Sequence, residues 1–396
     1  MTALSRREMV QLLGVGTASA AALSPVRSAL AQAQEEAQND PLTIVRKGID
    51  KELQVISADL LEAEAKTRLS EGVYVFISHG AGEQWTLREN RRAFGDYVFQ
   101  PHRMGGIVRT KIDTSITMLG ETLPHPIFIT PMGSHGLVHP EAEVATARGA
   151  AKSGGLLCVS SASTAILEDI GKASSTPKWF QMYLNVDAGI SRELLQRVKP
   201  AGFKAIILTV DAIGQGSSDE YVRLGRPRPW LPYGNFTTGS ANAFKTDLSW
   251  ADLEFTATTS GLPVVIKGIT RPDDAVAARK AGAAAIQVSN HGGRALDGTP
   301  AAISVLPKIA DALQGDAPII MDSGIRRGMD IAKALALGAN AVAVGRPVWW
   351  ALTLGGPGGV SGLMDYFHQE LVNTMLHLGV DKVASLKREH VTRSQG

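Results

Sequence analysis

The sequence predicts an α/β protein folded as a (β/α)8 TIM barrel behind an N-terminal cap of helices and a hairpin. Eight short apolar runs recur from Pro126 onward, and helix-like segments alternate with them. Apolar strands joined by helices pair in parallel with both faces covered, and eight such units are the number that closes a barrel. An open doubly wound sheet would need a glycine-rich dinucleotide loop after its first strand, which "TPMGSHG" does not supply.

The elements follow in chain order. Residues 1–31 carry paired Arg6 and Arg7, an apolar stretch from about Met9 to Leu23, and small residues at Ala29 and Ala31. That is the pattern of a twin-arginine export signal with an A-x-A cleavage site, so a periplasmic location is expected. The apolar stretch falls short of the roughly 20 residues a membrane span requires. Residues 32–125 read as cap and barrel plug, with an amphipathic "SADLLEAEAKTRLS" and a hairpin "TSITMLGETLPHPI". The barrel, 126–380, has strands in "PIFIT", "LLCVSS", "WFQMY", "AIILTVD", "PVVIKGI", "AAIQVSN", "PIIMDSG" and "AVAVGRP", and helices in segments such as "PEAEVATARGAAKSGG", "RPDDAVAARKAGA" and "RRGMDIAKALALGAN". Residues 212–248 are longer than an ordinary connection and read as a lid. Its arginines interleave with Trp230, Tyr233 and Phe236, a pattern suited to a peripheral membrane contact. Residues 381–396 close the chain as a tail.

Composition narrows the function classes. The chain has 396 residues and a net charge of +2, and Lys+Arg 40 against Asp+Glu 38 leaves no basic excess for nucleic acid. The single cysteine, Cys158, excludes an intrachain disulfide and a cysteine-based metal site. His135 and His139 in "SHGLVH" read as loop packing, and no metal site is expected.

A barrel of this kind carries its site at the carboxyl ends of the strands. Here those ends read Thr130-Pro131-Met132-Gly133, Ser160-Ser161, Gln181-Met182-Tyr183, Thr209-Val210-Asp211, Lys267-Gly268, Ser289-Asn290-His291, Asp322-Ser323-Gly324 and Gly345-Arg346. Polar groups therefore converge on one rim. In "AAIQVSNHGGRALDG" an apolar run stops at an imidazole and a guanidinium, His291 and Arg294, held apart by two glycines that let a flat ligand approach the backbone. After the last two strands, glycines accompany Arg326, Arg327 and Arg346 where helices begin, an arrangement that binds phosphate.

These residues, in this order, resemble the FMN-dependent 2-hydroxy acid oxidases and dehydrogenases, the family of glycolate oxidase, lactate oxidase, lactate monooxygenase and mandelate dehydrogenase. The likeness runs from about Leu60 to Val380. It rests on "HGAGEQWTLREN", "LTVD", "VIKG", "VSNHGGR", "DSGIRRG" and "GRP", with "HGLVHPEAE" and "GRPVWWALTLGG" most similar to lactate oxidase. The resemblance implies FMN as cofactor. It implies contacts to the flavin ring and ribityl chain from Ser160, Gln181, Thr209, Lys267 and Ser289, with Pro131, Met132 and Gly133 beside the cofactor. Asp322, Gly324, Arg326, Gly345 and Arg346 would meet its ribityl and phosphate end. The implied reaction oxidises a C–H that bears a hydroxyl next to a carbonyl, with electrons passing to flavin and then to O2, a quinone or a redox protein. His291 would be the base, paired with Asp211. Tyr183 would hydrogen-bond the reacting oxygen, Arg294 would bind the carbonyl or carboxylate side, and Lys267 would stabilise the reduced flavin. A homotetramer is also implied.

The chain departs from the family at the substrate's carboxylate. Members of the family hold that group with a second arginine, seven residues after the aspartate of "TVD", and with a tyrosine from the cap. Counting gives Ser218 and Phe76 at those places. Phe76 thus enters the substrate site without a hydroxyl, while Ala162 and Gly133 leave extra room. A larger or less charged 2-hydroxycarbonyl substrate is expected, such as an aromatic hydroxy acid, an ester, a lactone or an amide, unless Arg223 in the lid restores the missing charge. L-Lactate itself is the alternative. A non-catalytic periplasmic ligand-binding barrel is opposed by the intact set of His291, Asp211, Tyr183 and Lys267. An FMN-dependent isomerase of a diphosphate would want more basic residues on the rim.

Overall fold

In the computed structural model, residues 48–394 are described, apart from 215, 217, 226–228, 230 and 237–242. The expected export signal, the start of the cap and Arg226, Arg228 and Trp230 of the lid lie outside the described residues. Eight parallel strands close a barrel: β4 (Ile127–Ile129), β5 (Leu156–Ser160), β6 (Lys178–Met182), β7 (Ile206–Thr209), β8 (Val264–Ile269), β9 (Ala285–Val288), β10 (Ile319–Met321) and β11 (Ala341–Val344). β11 hydrogen-bonds back onto β4 to complete the ring. Each predicted apolar run forms one strand.

The period-two alternation of a strand explains how one sequence supplies both a core and a site. Ile127, Ile129, Leu157, Val159, Phe180, Met182, Ile206, Leu208, Ile286 and Val288 point outward into the large core beneath the helices. Their neighbours Phe128, Leu156, Cys158, Trp179, Ile207, Val265, Ala285, Ile320 and Ala343 fill the barrel interior. Two residues further along the same inward row, the side chains turn polar: Thr130, Ser160, Gln181, Thr209, Lys267, Gln287 and Asp322. The barrel is therefore a dry plug with a polar lid of its own strand ends. Its floor is closed by the predicted hairpin, β2 (Ile116–Met118) against β3 (Glu121–Leu123), whose Met118 and Leu123 join the interior cluster.

The outer layer is helical. It includes α4 (Ala142–Ser153), α8 (Trp250–Ser260), α9 (Pro272–Lys280), α10 (Ala302–Leu313), α11 (Gly328–Ala336) and the long α12 (Arg346–Leu378), which is kinked at Gly356. Three cap helices precede the barrel: α1 (Ala58–Lys66), α2 (Glu71–Ser78) and α3 (Trp85–Arg92). Ser57 and Ser70 cap the first two, each accepting a backbone N–H three residues on. The cap of α3 comes from far along the chain, where the Asp297 carboxylate accepts the N–H groups of Trp85 and Thr86 at 3.1 and 2.7 Å. Beside it Asn90 and Asn290 exchange two buried amide hydrogen bonds, each 2.8 Å.

The C-terminal residues are more ordered than a tail. β12 (Val391–Arg393) pairs antiparallel with β1 (Tyr97–Phe99), so the last described residues share a small sheet with the cap segment. The sequence conceals this because each strand is only three residues long and neither alternates cleanly.

Candidate active site

The strand ends, the α2–α3 segment and the lid enclose a cavity of about 430 Å3. His291 and Asp211 come together at the ends of β9 and β7, with Nδ1 2.9 Å from the carboxylate. Close approach is secured by Gly268, which stands at a bulge in β8 with φ +111; a Cβ there would lie 2.7 Å from the Asp211 side chain. Burial would raise the Asp211 carboxyl, but His291 and Lys267 outweigh it and hold the group below the ordinary carboxylate range. An ionised Asp211 fixes the proton on Nδ1, so the lone pair sits on Nε2. Nε2 faces the Tyr183 hydroxyl at 3.3 Å. Burial, with Asp211 adding to it, raises the Tyr183 phenol, which therefore remains a proton donor.

His291, Gly292 and Gly293 all have positive φ, at +58, +64 and +73. The glycines make room for the protein's own parts as much as for a ligand. A Cβ on Gly292 would lie 2.7 Å from the Arg346 guanidinium, and one on Gly293 would lie 2.8 Å from the Leu87 backbone. The turn delivers Arg294 to the cavity wall, where its guanidinium donates to the carbonyl of Phe76 at 2.7 Å and that of His79 at 3.3 Å. It also lies over the rings of Phe76 and Trp349. Phe76 thus holds the arginine through its backbone and its π face, which the sequence could register only as a missing hydroxyl.

The predicted cofactor residues divide between the wall and the shell behind it. Pro131, Met132, Gly133, Ser160, Lys267, Asp322, Gly324, Arg326, Gly345 and Arg346 line the cavity. Gln181, Thr209 and Ser289 are buried at strand ends without lining it. Ser289 Oγ accepts from Lys267 Nζ at 3.1 Å and from the His291 N–H at 3.0 Å. Asp322 accepts from Thr130, Gln287 and Ser323, and stands 3.8 Å from Lys267. Arg327 is a correction. It turns away from the cavity and pairs with Glu370 of α12, because the residue before a helix faces outward once Arg326 has turned in.

Several cavity residues carry no local mark of a place in the site, and the sequence marks Tyr233 only as a lid aromatic suited to a membrane contact. His79, Tyr221, Tyr233, Phe244 and Trp349 arrive from the cap, the lid and α12, and Phe244 packs on Tyr183 at 4.8 Å between ring centroids. Ser218 lies on the wall with a buried hydroxyl that has no partner among the described residues. Arg223 does not restore a charge there. It is paired with Glu220 and its side chain is 74% exposed. His135 and His139 are spent on packing, bonded to Thr146 and to the Ile49 carbonyl.

One end of the cavity is built for an anion. Arg326 and Arg346 are buried, and the Nε of each lacks a partner among the described residues. Burial pushes Arg326 down to about 10, and burial with repulsion from Arg294 and Arg326 pushes Arg346 well below its ordinary value. Two buried guanidiniums side by side are costly unless a bound anion neutralises them. Behind the cavity wall, Gln181 Nε2 and Thr209 Oγ1 are buried without partners among the described residues as well. Such a row of unsatisfied polar groups, from the strand ends to the paired arginines, suits a long ligand with a polar ring system at one end and a phosphate at the other.

That arrangement fits a flavin-dependent enzyme on a (β/α)8 barrel. The chain belongs to the FMN-dependent dehydrogenase family, whose model matches residues 65–393. It is 40% identical to an L-lactate oxidase of Nostoc over 348 residues, covering 82% of this chain and 94% of the relative. It is 38% identical to glycolate oxidase 3 of Oryza sativa subsp. indica, covering 83% and 94%. Among solved structures it is similar to a lactate oxidase of Pediococcus acidilactici (TM-score 0.85, 36% identity, 88% of this chain and 98% of that one). A mandelate oxidase with (S)-2-phenylpropionate gives a TM-score of 0.80 at 34% identity, covering 86% and 99%. The protein is thus an FMN-dependent oxidoreductase acting on CH–OH groups, of the 2-hydroxy acid oxidase type.

Proposed function

We propose that this enzyme oxidises a 2-hydroxycarbonyl compound larger or less charged than lactate, with His291 as the base. The observation that carries the catalytic part is the chain of contacts from Asp211 through the His291 ring to Tyr183, 2.9 and 3.3 Å long, beside Arg294. Arg326 and Arg346 would hold FMN at its phosphate and the strand-end polar groups would hold it along its length, and when bound it would supply the two-electron acceptor. His291 takes a proton from the substrate at Nε2, and Asp211 stabilises the imidazolium that results. Tyr183 donates to the reacting oxygen, and Arg294 binds the neighbouring carbonyl. Lys267, buried at the end of β8, brings positive charge to the side of the cavity where electrons accumulate.

The substrate preference rests on the cavity wall that Arg294 shares. Phe76, Ala162, Ser218, Tyr233, Phe244 and Trp349 offer apolar surface and neutral hydroxyls, and Arg223 is engaged outside. A free carboxylate entering here leaves water for a single guanidinium that two carbonyls already share, a weak exchange. L-Lactate is the second reading, favoured by the 40% identity to the Nostoc lactate oxidase. Anaerobic flavin reduction by lactate, glycolate, mandelate and methyl mandelate separates the two. The proposal expects mandelate or its ester to reduce the flavin fastest, and fastest reduction by lactate or glycolate at sub-millimolar half-saturation would sink it. The oxidase relatives favour O2 as final acceptor over a quinone or redox protein, which hydrogen peroxide release measures.

Three further expectations belong to the same proposal. Arg6 and Arg7 direct export of the folded, flavin-loaded chain to the periplasm, and an Arg6→Lys/Arg7→Lys variant should remain in the cytoplasm unprocessed. The enzyme forms a homotetramer, which sedimentation velocity measures. The lid makes a peripheral membrane contact, which flotation with anionic vesicles measures.

A further inference from the structure

Away from the flavin cavity, the geometry points to a divalent metal site formed by His102, Glu389 and His390, taking Zn2+. One donor atom from each residue lies within 4.8 Å of the others. None of the three lines the cavity.

The backbone fixes where these side chains meet. Gln100 donates its N–H to the His390 carbonyl at 2.8 Å, and His102 donates to the Leu378 carbonyl at 3.1 Å. With the β1–β12 pairing just beyond, the two histidine-bearing segments are pinned side by side, and the rings stand edge to face at 5.3 Å. His390 is buried, and its Nδ1 sits 3.1 Å from the Lys387 carbonyl. The same Nδ1 also lies 3.1 Å from the Lys387 N–H, which it accepts when the proton is on Nε2; metal binding would select the other tautomer, with Nδ1–H held by the Lys387 carbonyl and the Nε2 lone pair turned to the ion. His102 and Glu389 are exposed and can turn to close the remaining distance to a bond length near 2.0–2.2 Å.

The charge balance favours a cation. The neighbouring base that could neutralise Glu389, Arg388, is directed elsewhere: it donates to the Pro307 carbonyl at 2.8 Å and pairs with Asp311 at 2.7 Å, both on α10. Two imidazoles and one carboxylate suit Zn2+ with water at the fourth position, and such a set discriminates against Mg2+ and Ca2+, which prefer all-oxygen shells. Set apart from the flavin cavity, the ion would act as a clasp between the cap segment and the C-terminal strand. His102 lies far in sequence from Glu389 and His390, so no local motif announces the set.

The test uses the full flavin-loaded chain without a polyhistidine tag, stripped with chelator and titrated with Zn2+ against a chromophoric competitor. One equivalent per chain is expected, with Mg2+ and Ca2+ failing to compete. His102→Gln and Glu389→Gln, both at exposed positions, should each weaken binding tenfold or more. Zn2+ should raise the melting temperature of the parent protein and leave that of His102→Gln unmoved. Absence of a stoichiometric site, or equal Zn2+ affinity in the parent and both variants, overturns the proposal.

Discussion

Asp211 binds His291 through one carboxylate oxygen only, and its other oxygen is buried without a partner among the described residues. The aspartate is thus committed to one imidazole nitrogen and to one tautomer. His291→Gln should retain FMN and its spectrum while flavin reduction by substrate slows by about 10²–10⁴-fold, the usual worth of a positioned base. Asp211→Asn should also bind FMN but lose most of the rate. Normal anaerobic bleaching in His291→Gln would remove the histidine from the mechanism.

The paired guanidiniums make a prediction specific to the cofactor's phosphate. Arg326→Met and Arg346→Met should each weaken FMN binding by roughly 10- to 100-fold, the equivalent of one charged hydrogen bond of about 1.5–3 kcal/mol. Riboflavin, which lacks the phosphate, should bind parent and variants within a few-fold of one another. Fluorescence quenching of both flavins by apoprotein measures it, and equal loss for both would mean that the arginines support the fold instead.

Ser218 offers a way to rewrite the substrate site. Its hydroxyl lies on the cavity wall without a partner among the described residues, at the place where the resemblance leads one to expect a second arginine. Ser218→Arg should raise the preference for mandelate over methyl mandelate by about 10- to 100-fold in kcat/KM, chiefly through KM. No change in that ratio would show that residue 218 does not face the substrate's carbonyl end.

His125 gives the fold a weakness to acid. Its Nδ1 accepts from the Ile127 N–H at 3.3 Å and its Nε2 faces the Ser153 carbonyl at 3.0 Å, so the neutral ring is fully bonded. Burial, with the His368 ring 5.1 Å away, pushes its pKa down to about 4. Between pH 6.5 and 4 the unfolded chain therefore binds a proton that the native chain refuses, and stability falls as pH drops through that window. The loss between pH 7.5 and 5 should be about 2 kcal/mol from this residue. Urea unfolding of the parent and His125→Gln at both values checks it, and the variant should show the smaller pH difference.

The barrel was legible in the sequence because strands covered on both faces read as unbroken apolar runs, and because the inward row turns polar only at its last residue. The same rule exposed Lys267, Asp322 and the residues flanking His291. It could not reach side chains that enter from the cap and lid, such as His79 or Tyr233, since nothing local marks a residue whose role is set by long-range packing. Arg326 and Arg327 illustrate the limit. Adjacent in sequence and alike in type, they point in opposite directions, one toward the cavity and one to Glu370.

The amide pair Asn90–Asn290 has a consequence for how the enzyme comes into being. The turn that displays His291 is finished by a helix 200 residues upstream, so its geometry depends on a long-range loop closure. Contacts so distant in sequence form late in folding. A refolding chain recovers flavin binding only after the equally distant closure of β11 onto β4, and turnover additionally needs α3 docked at Asn290. The interval between those two signals would time the docking of a segment that touches no reacting atom.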